Sequence, residues 1–328
     1  MSLSLVIVLL LVLAAEFVNG WTDAPNAIAT VVSTRVLSPR RAVVMAALLN
    51  ILGALVTGTA VATTIGKGIV QPEVIGLPVV GAAMISIVIW STVAWRLRLP
   101  TSESHALVAG LAGAGLATAG PSVLLWEGWR KIIVGIGFST ILGFSLALVI
   151  MAALYWALRR TRPSTVRGIF GRLQIPSAAF MAFSHGSNDG QKFMGVFTLA
   201  LVLGGFLPNF NIPLWVIFLC GTVMGLGTFF GGWRIIRTMG FGLTKLEPVH
   251  GFAAETAAAS SIQIASQLGI PLSTTHTINT AIMGVGATRR FSAVRWGVGR
   301  SIVSAWIFTF PICGALSAVF ALLFRWVF

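Results

Sequence analysis

Long apolar stretches, separated by short polar ones, follow one another along the whole chain. Most are close to 20 residues long, the length of helix that crosses about 30 Å of hydrocarbon. The pattern predicts an all-α polytopic membrane protein with about ten crossings. The predicted crossings cover residues 3–34 (interrupted), 42–64, 76–95, 105–122, 132–158, 173–205 (interrupted), 213–232, 249–268, 275–288 and 298–324.

Two short polar motifs interrupt the apolar sequence, and both recur in the same order in the second half. The first motif, Asn19–Asn26, corresponds to His185–Lys192 at an offset of 166 residues. The second, Pro100–His105, corresponds to Pro271–His276 at an offset of 171 residues. Two nearly equal offsets indicate a duplicated unit, which is typical of secondary transporters.

The number of crossings fixes how the two copies are related. Five crossings in each half is an odd number, so the second copy begins on the opposite side of the membrane. We therefore expect two inverted repeats with broken or re-entrant helices. The predicted units are a first inverted repeat at 1–158, a basic cytoplasmic linker at 159–172 and a second inverted repeat at 173–328.

Composition and charge narrow the class of protein. The 328 residues are 56% hydrophobic and 9% charged, with a mean hydropathy of +0.93, which excludes an ordinary water-soluble domain. If the amino terminus is outside, sixteen Lys and Arg residues fall in cytoplasmic connections and four outside, namely Lys67, Arg130, Lys131 and Arg325. This asymmetry explains the net charge of +14 and predicts a multi-pass protein of the cell inner (plasma) membrane. No basic cluster is interleaved with exposed aromatics, so nucleic acid is excluded as a partner.

The first motif pair predicts two breaks in transmembrane helices. Gly20 and Pro25 interrupt the first crossing, and Gly186 and Gly190 interrupt the sixth. A broken helix frees N–H groups that favour an anion, while nearby carbonyls and carboxylates favour a cation. The alternative is a kinked helix whose polar side chains only bond to a neighbouring helix. The candidate residues are Asn26 and Asn188 for the substrate, and Asp23 and Asp189 for a coupling ion or proton.

The second motif pair is a run of hydroxyls after a proline. Such hydroxyls, beside the free N–H groups of a helix start, form a neutral set of donors for a tetrahedral oxyanion. The alternative is that they are ordinary helix caps. The candidate substrate-binding residues are Thr101, Ser102 and Ser104 in the first box, and Ser273, Thr274 and Thr275 in the second.

One further carboxylate, Glu255, lies among alanines in a predicted crossing. It has no acidic equivalent in the first half, where an offset of 171 leads to Met84. A carboxylate in a membrane helix is rarely without a function. We expect Glu255 to bind the coupling cation or proton, and pairing with Lys192 is the alternative. Glu16 is a second candidate for a protonatable group or a tether.

The histidines and cysteines carry weaker signals. We expect His105 and His276 to orient neighbouring segments, while the roles of His185 and His250 stay open. The two cysteines lie in apolar runs and are expected to pack. The spacing of His and Glu forms no metal-ligand pattern, and no nucleophile lies beside a base. The sequence therefore predicts no catalytic residue, no metal ligand, no cofactor and no enzyme.

The combined motifs closely resemble the inorganic phosphate transporter (PiT) family, from about Glu16 to Gly286. The resemblance implies inverted repeats that move phosphate with a cation, sodium in some branches and protons in others. The ending Asp-Gly-Gln-Lys at 189–192 resembles the low-affinity bacterial branch, which is thought to carry metal–phosphate with protons. The resemblance places site residues at Asp23, Asn26, Asn188, Asp189 and the two hydroxyl boxes.

These features predict a secondary active transporter that imports inorganic phosphate, free or as a metal–phosphate complex, by proton symport and alternating access. Sodium symport is the main alternative, and an intramembrane metal-dependent hydrolase and a passive anion channel are weaker ones. The predicted partners are inorganic phosphate, a proton or sodium ion, the lipid bilayer and, as an open option, a second copy of the chain in a homodimer.

Overall fold

The computed structural model describes residues 2–72 and 74–324. All of the secondary-structure elements in these residues are helices. Arg325 and the rest of the carboxyl terminus lie outside the described residues. The α-helices are α1 (Leu3–Ser33), α2 (Pro39–Val56), α3 (Ala60–Gly68), α4 (Leu77–Arg96), α5 (Glu103–Ala119), α6 (Trp126–Leu158), α7 (Pro163–Leu203), α8 (Leu214–Phe230), α9 (Trp233–Ile236), α10 (Pro248–Gln267), α11 (Thr274–Arg289) and α12 (Trp296–Phe324). A π-helical turn, Arg237–Gly242, follows α9, and 3₁₀ turns at Pro121–Val123 and Phe291–Ala293 precede α6 and α12.

Several helices can cross a membrane, which confirms the prediction of an all-α polytopic membrane protein. In the described part of the chain, α1, α2, α4, α6 and α12 are each long and apolar enough. Together α8 and residues 233–242 form a sixth candidate, bent by 60°. The other predicted crossings fall on α5, α7, α10 and α11, which are shorter or carry the polar motifs, and which bury much of their length inside the bundle.

Broken helices are present, but not where the sequence analysis placed them. The predicted breaks in the first and sixth crossings are wrong, because α1 and α7 run through Asn19–Asn26 and His185–Lys192 without interruption. Pro25 lies inside α1 and removes only its own N–H donor. The breaks instead separate α2 from α3 at Gly58 and α8 from α9 at Gly231, where φ is +83° and +65°. Glycine adopts this left-handed conformation without steric cost.

The glycines of the first motif pair have a different role, which is close helix packing. A side chain at Gly20 would overlap the backbone of Met224 in α8, and one at Gly186 would overlap the backbone of Asn50 in α2. A helix whose contact position is glycine can approach its neighbour backbone to backbone. Gly20 and Gly186 are equivalent at the 166-residue offset, so two equivalent contacts of this kind join the two halves.

The two halves have the same order of helices and are interleaved. Helices α1, α2, α4, α5 and α6 match α7, α8, α10, α11 and α12 in order. Helix α2 packs against α7 and α1 against α8, while α5 packs against α12 and α11 against α6. Each half therefore completes the packing of the other. The predicted linker at 159–172 is a short turn followed by the first turns of α7.

A buried polar layer separates two apolar cores. Along α1, residues 5–15 contribute to the first core and residues 27–31 to the second. Along α7 the order is reversed, since residues 170–182 belong to the second core and residues 193–201 to the first. The segments between them, 16–26 and 184–192, contain the first motif of each half. The fold thus places both copies of that motif at the same depth.

Candidate functional site

The candidate site lies where the middles of α1 and α7 meet the first residues of α5 and α11. Ser102 and Ser273 are the N-cap residues of α5 and α11, and their hydroxyls accept hydrogen bonds from the amides of His105 and His276 at 3.3 and 3.1 Å. These two serines thus have the capping role that was the alternative interpretation. Thr101, the residue before Ser102, is also buried.

The first half-site is formed by Asp23 and Asn26 of α1. The Asn26 amide donates to the hydroxyls of Thr275 and Thr274, at 2.9 and 3.3 Å. The Thr275 hydroxyl also lies 3.4 and 3.5 Å from the two carboxylate oxygens of Asp23. All four side chains are buried. The hydroxyl box of the second half therefore meets the acidic motif of the first.

The second half-site is formed by Asp189 and Lys192 of α7. The Lys192 ammonium forms an ion pair with Asp189 and donates to the Ser104 hydroxyl at 2.6 Å and to the Leu272 carbonyl at 2.9 Å. The Thr274 hydroxyl donates to the other oxygen of Asp189 at 2.9 Å. Lys192 is only 1% exposed, so all three of its donors are used inside the protein.

Asn188 points away from this cluster. Its amide donates to the Ser266 hydroxyl at 3.0 Å and to the Ile270 carbonyl at 3.4 Å, both near the end of α10. Its carbonyl oxygen is buried and has no hydrogen-bond partner among the described residues. The structure therefore separates Asn188 from Asn26, although the sequence analysis assigned both the same role.

Glu103 is a buried site residue that the sequence analysis missed. It is 2% exposed, and its two oxygens accept hydrogen bonds from Thr22 at 3.0 Å and from Ser91 at 2.8 Å. At the 171-residue offset Glu103 occupies the position of Thr274. The signal was present in the sequence, because Glu103 stands inside the first hydroxyl box as its one acidic member.

His185 contacts Asp189 and lies close to Asp23. Its Nδ1 lies 3.2 Å from the side-chain oxygen of Asn50, and its Nε2 lies 3.2 Å from Asp189. One ligand atom each from Asp23, His185 and Asp189 all lie within 4.8 Å of one another. Imidazole and carboxylate groups suit a divalent cation, so this set could hold one. The sequence analysis named no metal ligand, because these residues come from different halves.

Glu255 lies in a polar cluster of its own. It accepts hydrogen bonds from Thr30 at 2.6 Å, from Gln174 at 2.9 Å and from Ser177 at 2.5 Å. The alternative pairing of Glu255 with Lys192 is wrong, because Lys192 pairs with Asp189. Thr30 lies one turn of α1 beyond Asn26, in the part of the helix that packs in the second apolar core. The Glu255 cluster therefore lies on the side of the two half-sites that faces that core.

The remaining polar residues mostly support this arrangement. Glu16 accepts a hydrogen bond from Asn19 at 3.3 Å, and its other oxygen is buried without a hydrogen-bond partner. The rings of His105 and His276 are 4.4 Å apart, and His276 stacks on Trp306. His250 caps α10 together with Glu247 and lies 2.8 Å from the Tyr155 hydroxyl. Cys220 and Cys313 are free and buried.

A comparison with known families identifies this architecture. Residues 19–317 match the model of the phosphate transporter family. The chain belongs to this family. It is 46% identical over 305 residues to a probable low-affinity inorganic phosphate transporter of Rhizobium meliloti (strain 1021), covering 93% of this chain and 91% of the relative. A protein of the same name from Bacillus subtilis (strain 168) is 39% identical over 334 residues, with both chains fully covered.

The fold is also that of a solved transporter. A structure described as the sodium-dependent phosphate transporter superposes with a TM-score of 0.90 at 25% sequence identity, and each chain is covered fully. The family and these relatives are transporters, which confirms the prediction that this member is not an enzyme. The resemblance to the low-affinity bacterial branch is confirmed, because both of these bacterial relatives of the chain are named probable low-affinity inorganic phosphate transporters.

Proposed function

We propose that this protein is a secondary active transporter that imports inorganic phosphate across the cell inner (plasma) membrane by symport and alternating access. The observation that carries the proposal is the meeting of the two hydroxyl boxes with the two acidic motifs in one buried layer. Ser104 comes from one half and Thr274 and Thr275 from the other, while Asp23 and Asp189 flank them. Membership of the phosphate transporter family supports the substrate.

The proposed phosphate site has hydroxyl, amide and ammonium donors. Ser104, Thr274 and Thr275 present hydroxyls, Asn26 presents an amide, and Lys192 adds one positive charge. Ser102 and Ser273 act as caps and bring the amino-terminal turns of α5 and α11 to the same place, where free N–H groups favour an anion. The proposed set from the sequence also includes Thr101 and Asn188, although the Asn188 amide donates to Ser266 and Ile270 in this structure and would have to turn to reach phosphate.

The proposed coupling residues are Asp23, Asp189 and Glu255. Phosphate carries one to two negative charges, and buried carboxylates add to them, so neither crosses a low-dielectric barrier alone. Binding of a cation or proton together with phosphate reduces the charge that the moving site carries. We propose protons as the coupling ion, because the hydrogen-bond donors to Glu255 among the described residues are three uncharged side chains, those of Thr30, Gln174 and Ser177.

Two finer alternatives have specific support. Sodium symport is favoured by the solved structure of similar fold, which is described as sodium-dependent. Transport of a metal–phosphate complex is favoured by Asp23, His185 and Asp189, whose ligand atoms lie close enough together to hold the metal. Assembly of two copies of the chain into a homodimer stays a prediction.

Uptake by the purified protein in liposomes tests the proposal. Vesicles with an inward pH gradient and no sodium should accumulate labelled phosphate, and a protonophore should collapse the accumulation. Uptake that requires sodium and ignores the protonophore would favour the sodium alternative. Uptake stimulated by a divalent metal, with equal entry of labelled metal, would favour the complex. Phosphate that only equilibrates would indicate a channel, and no uptake above that of empty liposomes would contradict the proposal.

A further inference from the structure

The internal duplication allows the two half-sites to be compared atom by atom. At the 166-residue offset Lys192 corresponds to Asn26, and at the 171-residue offset Ser104 corresponds to Thr275. The bond from Lys192 to Ser104, at 2.6 Å, is therefore the equivalent of the bond from Asn26 to Thr275, at 2.9 Å. The two contacts match in position and differ in charge.

The surroundings of the Lys192 ammonium are those of a bound cation. Its three neighbours are all oxygens: a carboxylate of Asp189, the hydroxyl of Ser104 and the carbonyl of Leu272. Leu272 lies in the non-helical segment before α11, where carbonyls are free to face a positive charge. Carboxylate, hydroxyl and carbonyl oxygens are also the ligands that hard metal cations take. In transporters, unwound backbone carbonyls coordinate the coupling ion.

The equivalent position in the first half holds the neutral side chain of Asn26. Among the described residues, the Thr275 hydroxyl lies 3.4 and 3.5 Å from the two carboxylate oxygens of Asp23. Glu103, which replaces the second half's Thr274, adds another carboxylate and accepts only from hydroxyls. Within residues 2–72 and 74–324, neither Asp23 nor Glu103 forms an ion pair like that of Asp189 with Lys192.

We infer that the Lys192 ammonium is a built-in cation, which occupies beside Asp189 the position that an exchangeable cation or proton takes beside Asp23. The inference rests on the proposed symport function. Lys192 and Asp189 lie one turn apart on α7, so the ammonium moves with its carboxylate and is not released with phosphate. The second half-site then needs no exchangeable counter-charge, because Asp189 acts through Lys192. Of the two half-sites it is the first, at Asp23, that takes an exchangeable ion, and the proposed role of Glu255 outside them is unchanged.

Replacing Lys192 by its first-half equivalent tests this assignment. Lys192→Asn, purified at full length and placed in liposomes, should need one more cation per phosphate than the wild type. The readouts are the charge moved per labelled phosphate and the steepness of uptake against proton or sodium concentration. An unchanged charge per phosphate with only a raised KM would overturn the inference and make Lys192 a phosphate ligand. Inactivity that neither lower external pH nor added sodium or potassium reverses would also overturn it.

The converse exchange leaves Lys192 in place and covers the case in which Lys192→Asn does not fold. Asn26→Lys should install a second tethered cation beside Asp23. We expect gradient-driven accumulation to disappear and the charge moved per labelled phosphate to fall by one, since the ammonium takes the place of the coupling ion. The KM for phosphate should also change, because Asn26 belongs to the proposed phosphate site. Gradient-driven accumulation equal to that of the wild type would overturn the inference. Wild-type uptake of phosphate in the same vesicles tests the proposed function separately.

Discussion

The two half-sites have equivalent backbone positions and different charges. The first has Asp23 with the neutral Asn26, and Glu103 stands in its hydroxyl box. The second has Asp189 with the ammonium of Lys192, and Thr274 stands where Glu103 is in the first. The duplicated fold therefore brings two half-sites of similar backbone structure into one layer. Their side chains differ, so the two half-sites are chemically unequal. In the part of the chain that the structure describes, only the second half-site has a lysine paired with its aspartate.

A second difference lies on either side of the polar layer. Around Glu255 the buried side chains are polar, whereas the residues at the equivalent positions of the repeat are apolar and are buried or partly buried. Such a difference makes one side of the layer easier to hydrate than the other. The polar set is Thr30, Gln174, Ser177 and Glu255, and the positions at the two repeat offsets are Val196, Val8, Leu11 and Met84.

The largest effect is expected where the half-sites agree, at their aspartates. Asp23→Asn and Asp189→Asn should each abolish gradient-driven phosphate uptake, because each removes a carboxylate that offsets the charge of the bound cation or of Lys192. Uptake of labelled phosphate into vesicles measures the effect. The elution profile in detergent should stay that of the wild type, which separates lost transport from lost folding. Wild-type uptake by both variants would contradict the site assignment.

A smaller effect is expected from the difference around Glu255. Glu255→Gln keeps the size of the side chain and removes its charge, so gradient-driven uptake should fall by about tenfold or more, or about 1.4 kcal/mol. Phosphate exchange at equal concentrations should be less affected. Met84→Leu at the equivalent position is the control and should retain uptake, because it conserves volume in an apolar core. Equal behaviour of the two variants would argue against a coupling role for Glu255.

The hydroxyl boxes should affect affinity more than driving force. Thr274→Ala removes a hydrogen bond to a charged group, which is worth about 1.5–3 kcal/mol, so the KM for phosphate should rise roughly 10- to 150-fold. Thr277→Ala, one turn later, is the control, because the Thr277 hydroxyl bonds only to the Ser273 carbonyl of its own helix region. An unchanged KM in Thr274→Ala would restrict this threonine to a structural role.

The smallest effect is expected where the halves are most alike, at the two caps. Ser102→Ala and Ser273→Ala each remove an N-cap bond, at 3.3 and 3.1 Å, and should each destabilise the protein by about 1 kcal/mol. A thermal-unfolding scan in detergent measures the loss. Equal shifts in Tm would match the symmetry of the caps. A shift in only one variant would show that the two helix starts differ in more than charge.

The sequence predicted the architecture of the molecule well, because the architecture follows from local patterns of apolar and polar residues. Apolar length predicted a polytopic bundle, and the paired motifs predicted which segments meet. The breaks were misplaced because Gly20 and Gly186 act through contacts with α8 and α2, which no local pattern reveals. The true breaks at Gly58 and Gly231 lie in segments without a polar motif.

The chemistry of the site was only partly accessible from the sequence. Asp23, Asp189 and the hydroxyl boxes stood out because a bilayer rarely tolerates such residues without function. The partner of Lys192 was not predicted, because the sequence analysis considered only its pairing with Glu255, whereas Asp189, one turn away on α7, is the partner. Glu103 was overlooked because the segment Pro100–His105 was interpreted only as a run of hydroxyl side chains. The group formed by Asp23, His185 and Asp189 requires α1 and α7 to be packed together.

A cryo-EM structure of the protein with phosphate bound tests the central claim most directly, since the claim is that both halves build one site. The account predicts phosphate density in the polar layer, within hydrogen-bond distance of Ser104 from one half and of Thr274 or Thr275 from the other. Lys192 should remain paired with Asp189 in that structure. Phosphate contacting one half alone, or bound outside the layer between α1 and α7, would contradict the account.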